Sequence, residues 1–135
     1  MTDVQGLNHL ALVVEDLDQA IQFWCDTLGL TLEKVEDIPE EGARVAFLPL
    51  GASRVELVQP TQTESGLSRF LQKRGPGFHH LCLEVADIQT TLQQMDEKGI
   101  ELINPEPVTG SDGRQYAFLH PKSVGGVLIE LYQLP

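Results

Sequence analysis

Two histidines and two glutamates stand at matched places in a chain that repeats itself, and together their side chains suit a divalent metal ion. The segment Asn8–Leu17 (NHLALVVEDL) is echoed by His79–Ile88 (HHLCLEVADI), which sets His9 against His80, 71 positions apart. Farther on, Val55–Gln59 (VELVQ) is echoed by Ile129–Gln133 (IELYQ), which sets Glu56 against Glu130, 74 positions apart. A lone histidine at the start of a strand has an ordinary structural explanation, and so does a lone glutamate on an alternating edge strand. The duplication changes that weighing, because it retains both residue types at equivalent places in both halves. An unpartnered buried carboxylate costs on the order of several kcal/mol, and a dication offsets that cost. Two imidazoles with two carboxylates form a borderline-hard set, suited to Zn²⁺, Co²⁺, Ni²⁺, Mn²⁺ or Fe²⁺ and poorly suited to Cu(I) or Ca²⁺. Four protein ligands in an octahedral shell leave two positions, enough for two oxygens of a substrate.

Strands must carry these residues, and strand alternation decides where they point. His9 shares a face with Ala11 and Val13, while Leu10, Leu12 and Val14 take the opposite face, where a helix is expected to pack. His80 shares a face with Cys82, and Glu130 with Leu128 and Tyr132. The four polar side chains are therefore expected to look away from the helices. His79 aligns with Asn8 rather than with His9, so it turns to the other side and reads as packing or support. His120, followed by Pro121, reads as a turn residue. Glu84 falls on the nominal face of His80 near the strand end, with no evident role.

Each half is expected to run strand, helix, strand, strand, strand. From Asp16, the apolar residues Leu17, Ala20, Ile21, Trp24 and Leu28 recur at three- and four-residue steps and stop at Gly29. Ile88, Leu92 and Met95 do the same from Asp87 to Gly99. Asp16 and Asp87 suit the N-cap. Short strands are expected at Leu30–Val35 and Ile100–Ile103, followed by loops at Ile38–Gly42, Asn104–Pro107 and Gly110–Gly113. Arg44–Leu48 (RVAFL) then matches Gln115–Leu119 (QYAFL), and the three extra residues fall in the second-half loops. Module one covers about residues 5–60 and module two about 77–135. The segment 61–76, with a short helix near Leu67–Lys73, joins them within one domain.

The balance of 20 acidic against 9 basic residues, a net charge of -11 in 135 residues, repels phosphate backbones and anionic membranes. Nucleic acid and membrane are therefore not expected partners. Cys25 and Cys82 have no zinc-knuckle or disulfide spacing and read as free buried thiols. Without a signal peptide or an apolar run of roughly twenty residues, the expected location is the cytoplasm, or an organelle matrix after loss of a transit peptide.

The chain resembles the methylmalonyl-CoA epimerase family of the vicinal oxygen chelate superfamily over essentially its whole length. The general features are Asn8–Ala11, the paired half-repeats and the glutamate near the end of each half. More specific are Lys73–His80 (KRGPGFHH) and above all Phe118–Leu131 (FLHPKSVGGVLIEL). The resemblance implies an α+β vicinal oxygen chelate fold, in which two tandem βαβββ modules form a curved mixed sheet around a metal cleft. It also implies a homodimer and one divalent ion per chain, often cobalt, on His9, Glu56, His80 and Glu130. Some bacterial members have glutamine where this chain has Glu56 and an acid/base glutamate where it has Val45; this sequence follows the other pattern.

The implied reaction interconverts (2R)- and (2S)-methylmalonyl-CoA by 1,1-proton transfer through a metal-stabilised enolate, with Glu56 and Glu130 as the matched acid/base pair. Lys122 and Ser123, in a loop followed by Gly125 and Gly126, can offer an ammonium, a hydroxyl and backbone N–H groups to the phosphates of a coenzyme A thioester. Arg69, Lys73 and Arg74 are weaker candidates for that task. A glyoxalase I-type lactoylglutathione lyase would use the same four ligands, but the stretch 120–130 argues against it. An extradiol-type dioxygenase needs only two histidines and one carboxylate, which makes Glu56 surplus. A metal-free small-molecule-binding module of the antibiotic-resistance kind would share the fold without needing the His/Glu quartet.

Overall fold

The computed structural model describes residues 3–135 as an α+β chain whose contacts divide it into two compact units. One unit is His9–His79; the other joins the residues up to Asn8 with His80–Pro135. Strand β1 (Val4–Val13) crosses this boundary, so its first residues group with the second half. No helix among the described residues is long and apolar enough to cross a membrane.

The His9–His79 unit contains the rest of β1, helix α1 (Leu17–Ile21), β2 (Lys34–Ile38), β3 (Ala43–Leu50), β4 (Ser53–Pro60) and helix α2 (Gly66–Arg74). Its strands lie in the order β2-β3-β4-β1, with β1 parallel to β4 and the other pairs antiparallel. The other unit contains β5 (Gly77–Val85, chiefly), helix α3 (Ile88–Glu97), β6 (Val108–Thr109), β7 (Gln115–Leu119) and β8 (Ile129–Gln133). Its order is β5-β8-β7-β6, again with one parallel pair, β5 with β8. The duplication read from the sequence is thus a duplication of topology.

Apolar alternation explains which face each helix covers. Leu12, Val14, Leu17, Ala20, Ile21 and Trp24 pack with the buried Ala46, Leu48, Val55 and Leu57. Opposite them, Ala11, Val45, Phe47 and Val58 form the second face of the same sheet. In the other unit Ile88 and Leu92 of α3 pack on Val85, Ala117, Leu119 and Leu131. Each helix start is held twice. Asp16 and Asp87 accept from the backbone N–H of Gln19 and Thr90, at 3.1 Å each. Gln59 and Gln133, three residues after the two glutamates, accept from the N–H of Leu17 and Ile88 at 2.7 and 2.8 Å. Four orphan donors at two helix starts are satisfied in this way.

Three expectations need correction. The first helix is not regular to Gly29: after Ile21 it widens into a π-helix over Gln22–Thr27, with the Leu28 N–H on the Phe23 carbonyl. No strand begins at Leu30, because the Leu30 N–H turns back to the Trp24 carbonyl; Glu33 is the first to bond β3, through the Phe47 carbonyl. Likewise Ile100–Ile103 forms only an isolated bridge, Leu102 with Leu119, since the Ile100 N–H returns to Met95. The outer place beside β7 is taken instead by β6, between the two expected loops.

Candidate active site

Parallel pairing brings each histidine beside its glutamate. In the His9–His79 unit, β1 sets Ala11 opposite Glu56 of β4, so His9, two residues earlier on the same face, reaches the carboxylate. His9 Nδ1 lies 3.3 Å from Glu56 Oε2. The other unit repeats the register, with Cys82 of β5 opposite Glu130 of β8, and His80 Nε2 lies 3.1 Å from Glu130 Oε1. The two carboxylates are only 8% and 6% exposed, and His9 is 1% exposed. Both pairs are on the sheet face away from the helix, as strand alternation predicts.

Neighbours hold these side chains in place. Glu56 Oε2 also accepts from Arg54 Nε at 2.7 Å. The Arg54 guanidinium rests over the Phe47 ring, 5.0 Å from its centroid. The His80 ring meets Phe118 edge-on at 5.5 Å, and Phe118 is the direct cross-strand neighbour of Glu130 on β7. The Cys82 thiol is fully buried, with Sγ within 4.8 Å of a Glu130 carboxylate oxygen. Arg54 and Phe118 went unread in the sequence. The available signal was period-2 spacing: Arg54 shares a face with Glu56, and Leu128 stands at its equivalent before Glu130.

The donors suit a borderline-hard dication. Each pair offers an imidazole nitrogen and a carboxylate oxygen at a separation two ligands of one ion can have. Without an ion the same pairs can shuttle protons, since a buried carboxylate beside an imidazole can accept and return one.

The remaining sequence candidates separate clearly. His79 packs edge-on against Phe70 of α2 at 4.8 Å, and Arg74 lies over the same ring at 5.6 Å. Glu84 accepts a 2.8 Å hydrogen bond from Asn8 Nδ2, which gives it a structural role. His120 is a turn residue: its Nδ1 accepts from the Lys122 N–H at 3.0 Å and lies 3.3 Å from Glu101. The Ser123 hydroxyl oxygen accepts from the Glu101 N–H at 3.0 Å, leaving its proton to give, and the Lys122 ammonium is on an exposed residue.

The backbone N–H groups expected to meet an anion there are differently employed. Those of Lys122, Ser123, Val124 and Gly126 bond within the Pro121–Ser123 3-10 turn and its exit. Gly125 and Gly126, at φ 75° and 88°, let the chain leave that turn, a backbone that side chains with a Cβ resist. Val45 is buried on the same face as Phe47.

A model of the Glyoxalase/Bleomycin resistance protein/Dioxygenase superfamily matches residues 8–118. The chain is 41% identical to the mitochondrial methylmalonyl-CoA epimerase of Mus musculus over 128 residues, 94% of this chain and 72% of that one. Among solved structures, the methylmalonyl-CoA epimerase of Mycobacterium tuberculosis superposes with a TM-score of 0.90 at 34% identity, covering 100% of this chain and 91% of the other. A methylmalonyl-CoA epimerase in complex with methylmalonyl-CoA and NH4+ gives a TM-score of 0.89 at 33% identity, with coverage of 98% and 96%.

Proposed function

The chain belongs to the Glyoxalase/Bleomycin resistance protein/Dioxygenase superfamily, and from that premise we propose that it is a metal-dependent epimerase interconverting (2R)- and (2S)-methylmalonyl-CoA. It is an isomerase, as its epimerase relatives are. The observation that carries the reading is the repeated pair, a buried carboxylate beside an imidazole at the same register in each unit. His9, Glu56, His80 and Glu130 are the residues to hold one divalent ion, cobalt by family resemblance. When bound, the ion supplies Lewis-acid charge against the negative charge that builds on the thioester oxygen.

The chain's own groups do the rest. The reacting carbon lies between a thioester and a carboxylate; its proton passes to one glutamate oxygen, and a proton from the other glutamate returns on the opposite face. Inversion needs one such group on each side, and Glu56 and Glu130 are a matched pair. His9 and His80 orient those carboxylates, while Lys122 and Ser123 offer an ammonium and a hydroxyl proton to the coenzyme's phosphates. A homodimer, and a site of action in the cytoplasm or an organelle matrix, complete the proposal.

The test is incubation with methylmalonyl-CoA in D₂O, with and without chelator. Deuterium should enter at carbon 2 only when the ion is present. No uptake by ion-loaded protein would sink the reading and leave hemithioacetal isomerisation or simple binding to be assayed.

A further inference from the structure

The two halves repeat a strand register but not a charge. Beside Glu56 stands Arg54, two residues earlier on the same face of β4, with Nε donating to Oε2 at 2.7 Å. The place equivalent to Arg54 in the second half is Leu128, whose side chain has no hydrogen to donate. Arg54 is itself fixed. Its guanidinium stacks over Phe47, which is the direct cross-strand neighbour of Glu56, and Lys34 approaches the same ring at 5.0 Å. One carboxylate oxygen thus meets an arginine held by an aromatic ring, and the His9 imidazole lies 3.3 Å from that same oxygen.

We propose that Arg54 is a positioning residue for Glu56, pinning the carboxylate in one rotamer so that a lone pair stays directed to the divalent ion. This rests on the metal-dependent reading above. Two effects of the guanidinium oppose each other. Its charge repels a dication, which by itself lowers affinity; its hydrogen bond removes the freedom the carboxylate would lose on binding, which raises it. Orientation outweighs repulsion, because the guanidinium charge is already offset by the Glu56 carboxylate it meets, whereas the 2.7 Å hydrogen bond fixes that carboxylate in place. The two contributions predict opposite signs when the side chain is replaced.

The experiment is calorimetric titration of Co²⁺ into the full-length protein stripped of metal, for wild type, Arg54→Met and Arg54→Lys, with the cobalt absorption spectrum recorded alongside. Arg54→Met should weaken binding by about 10- to 100-fold, the usual cost of removing a group that orients a ligand, and should alter the spectrum of the bound ion. Arg54→Lys keeps the charge but not the planar fork, and should fall between. It carries the test alone if the methionine variant does not fold, with wild-type affinity then counting against the proposal. Equal or tighter binding by Arg54→Met overturns the positioning role while leaving the epimerase reading intact. A wild-type protein that takes up no cobalt overturns both.

Discussion

At the scale of single residues, Glu56 and Glu130 have the heaviest duty, since the proposal makes each a metal ligand and a proton carrier. Their surroundings differ although their backbones match. Glu56 meets His9 Nδ1 and the Arg54 guanidinium; Glu130 meets His80 Nε2, with the Cys82 thiol and Phe118 beside it. Replacing either by glutamine keeps shape and one acceptor but removes the basic oxygen. Glu56→Gln and Glu130→Gln should each lower turnover by about 10²- to 10⁴-fold, measured as epimerisation with the ion supplied in excess. Exchange of the substrate proton should be followed separately from each epimer. A near-normal rate in both directions for one variant would remove that glutamate from the acid/base pair.

At the scale of elements, the glutamate strands and the helices are tied to one another. Gln59 and Gln133 carry the chain three residues past the two glutamates and close on the first N–H of α1 and α3, so β4 and β8 set the helix starts. The aspartate caps complete each start. The Asp87 carboxylate is held below the ordinary aspartate range, chiefly by the backbone N–H of Thr90 and then by the Thr90 side chain. A carboxyl with a lowered folded pKa stabilises fully above its unfolded pKa of about 3.9, and that contribution is lost as pH falls through the folded value. The difference in Tm between wild type and Asp87→Ala should therefore be largest near neutral pH and shrink as pH drops below about 4. A difference that stays constant through acid would show that the charged form of Asp87 has no part in capping α3.

At the scale of the whole molecule, each unit carries one imidazole–carboxylate pair, and an ion held as proposed would link metal binding to the stability of the fold. An ion that binds the folded form alone stabilises by about 2.7 kcal/mol at a free concentration 100 times its Kd. Thermal unfolding of the metal-loaded protein should therefore move to lower temperature on chelation and recover when Co²⁺ or Zn²⁺ is returned. A Tm indifferent to chelator and to added ion would argue that the buried carboxylates are compensated by protein groups alone.

Much of this molecule was legible in the sequence because its information is local or repeated. Nearly continuous apolar residues in Asn8–Val14 and Val55–Gln59 specify strands buried on both faces, and the matched His and Glu positions single out the same face twice. The aspartate before each helix and the glycines that leave the Pro121–Ser123 turn are equally local signals. Other features depend on partners distant along the chain. The register that places Ala11 opposite Glu56 and Cys82 opposite Glu130 is a choice among sheet pairings, and only that choice brings each imidazole within 3.3 Å of its carboxylate. The return of Leu30 and Ile100 to helix carbonyls moved the start of one expected strand to Lys34 and reduced the other to a single bridge, because a backbone N–H takes whichever acceptor the assembled turn presents. Sequence alone determined which residues are the candidates for the chemistry and which way they face. Tertiary structure decided what stands next to them, Arg54 on Glu56 above all, because a side-chain contact depends on rotamer and packing, which alternation and composition do not specify.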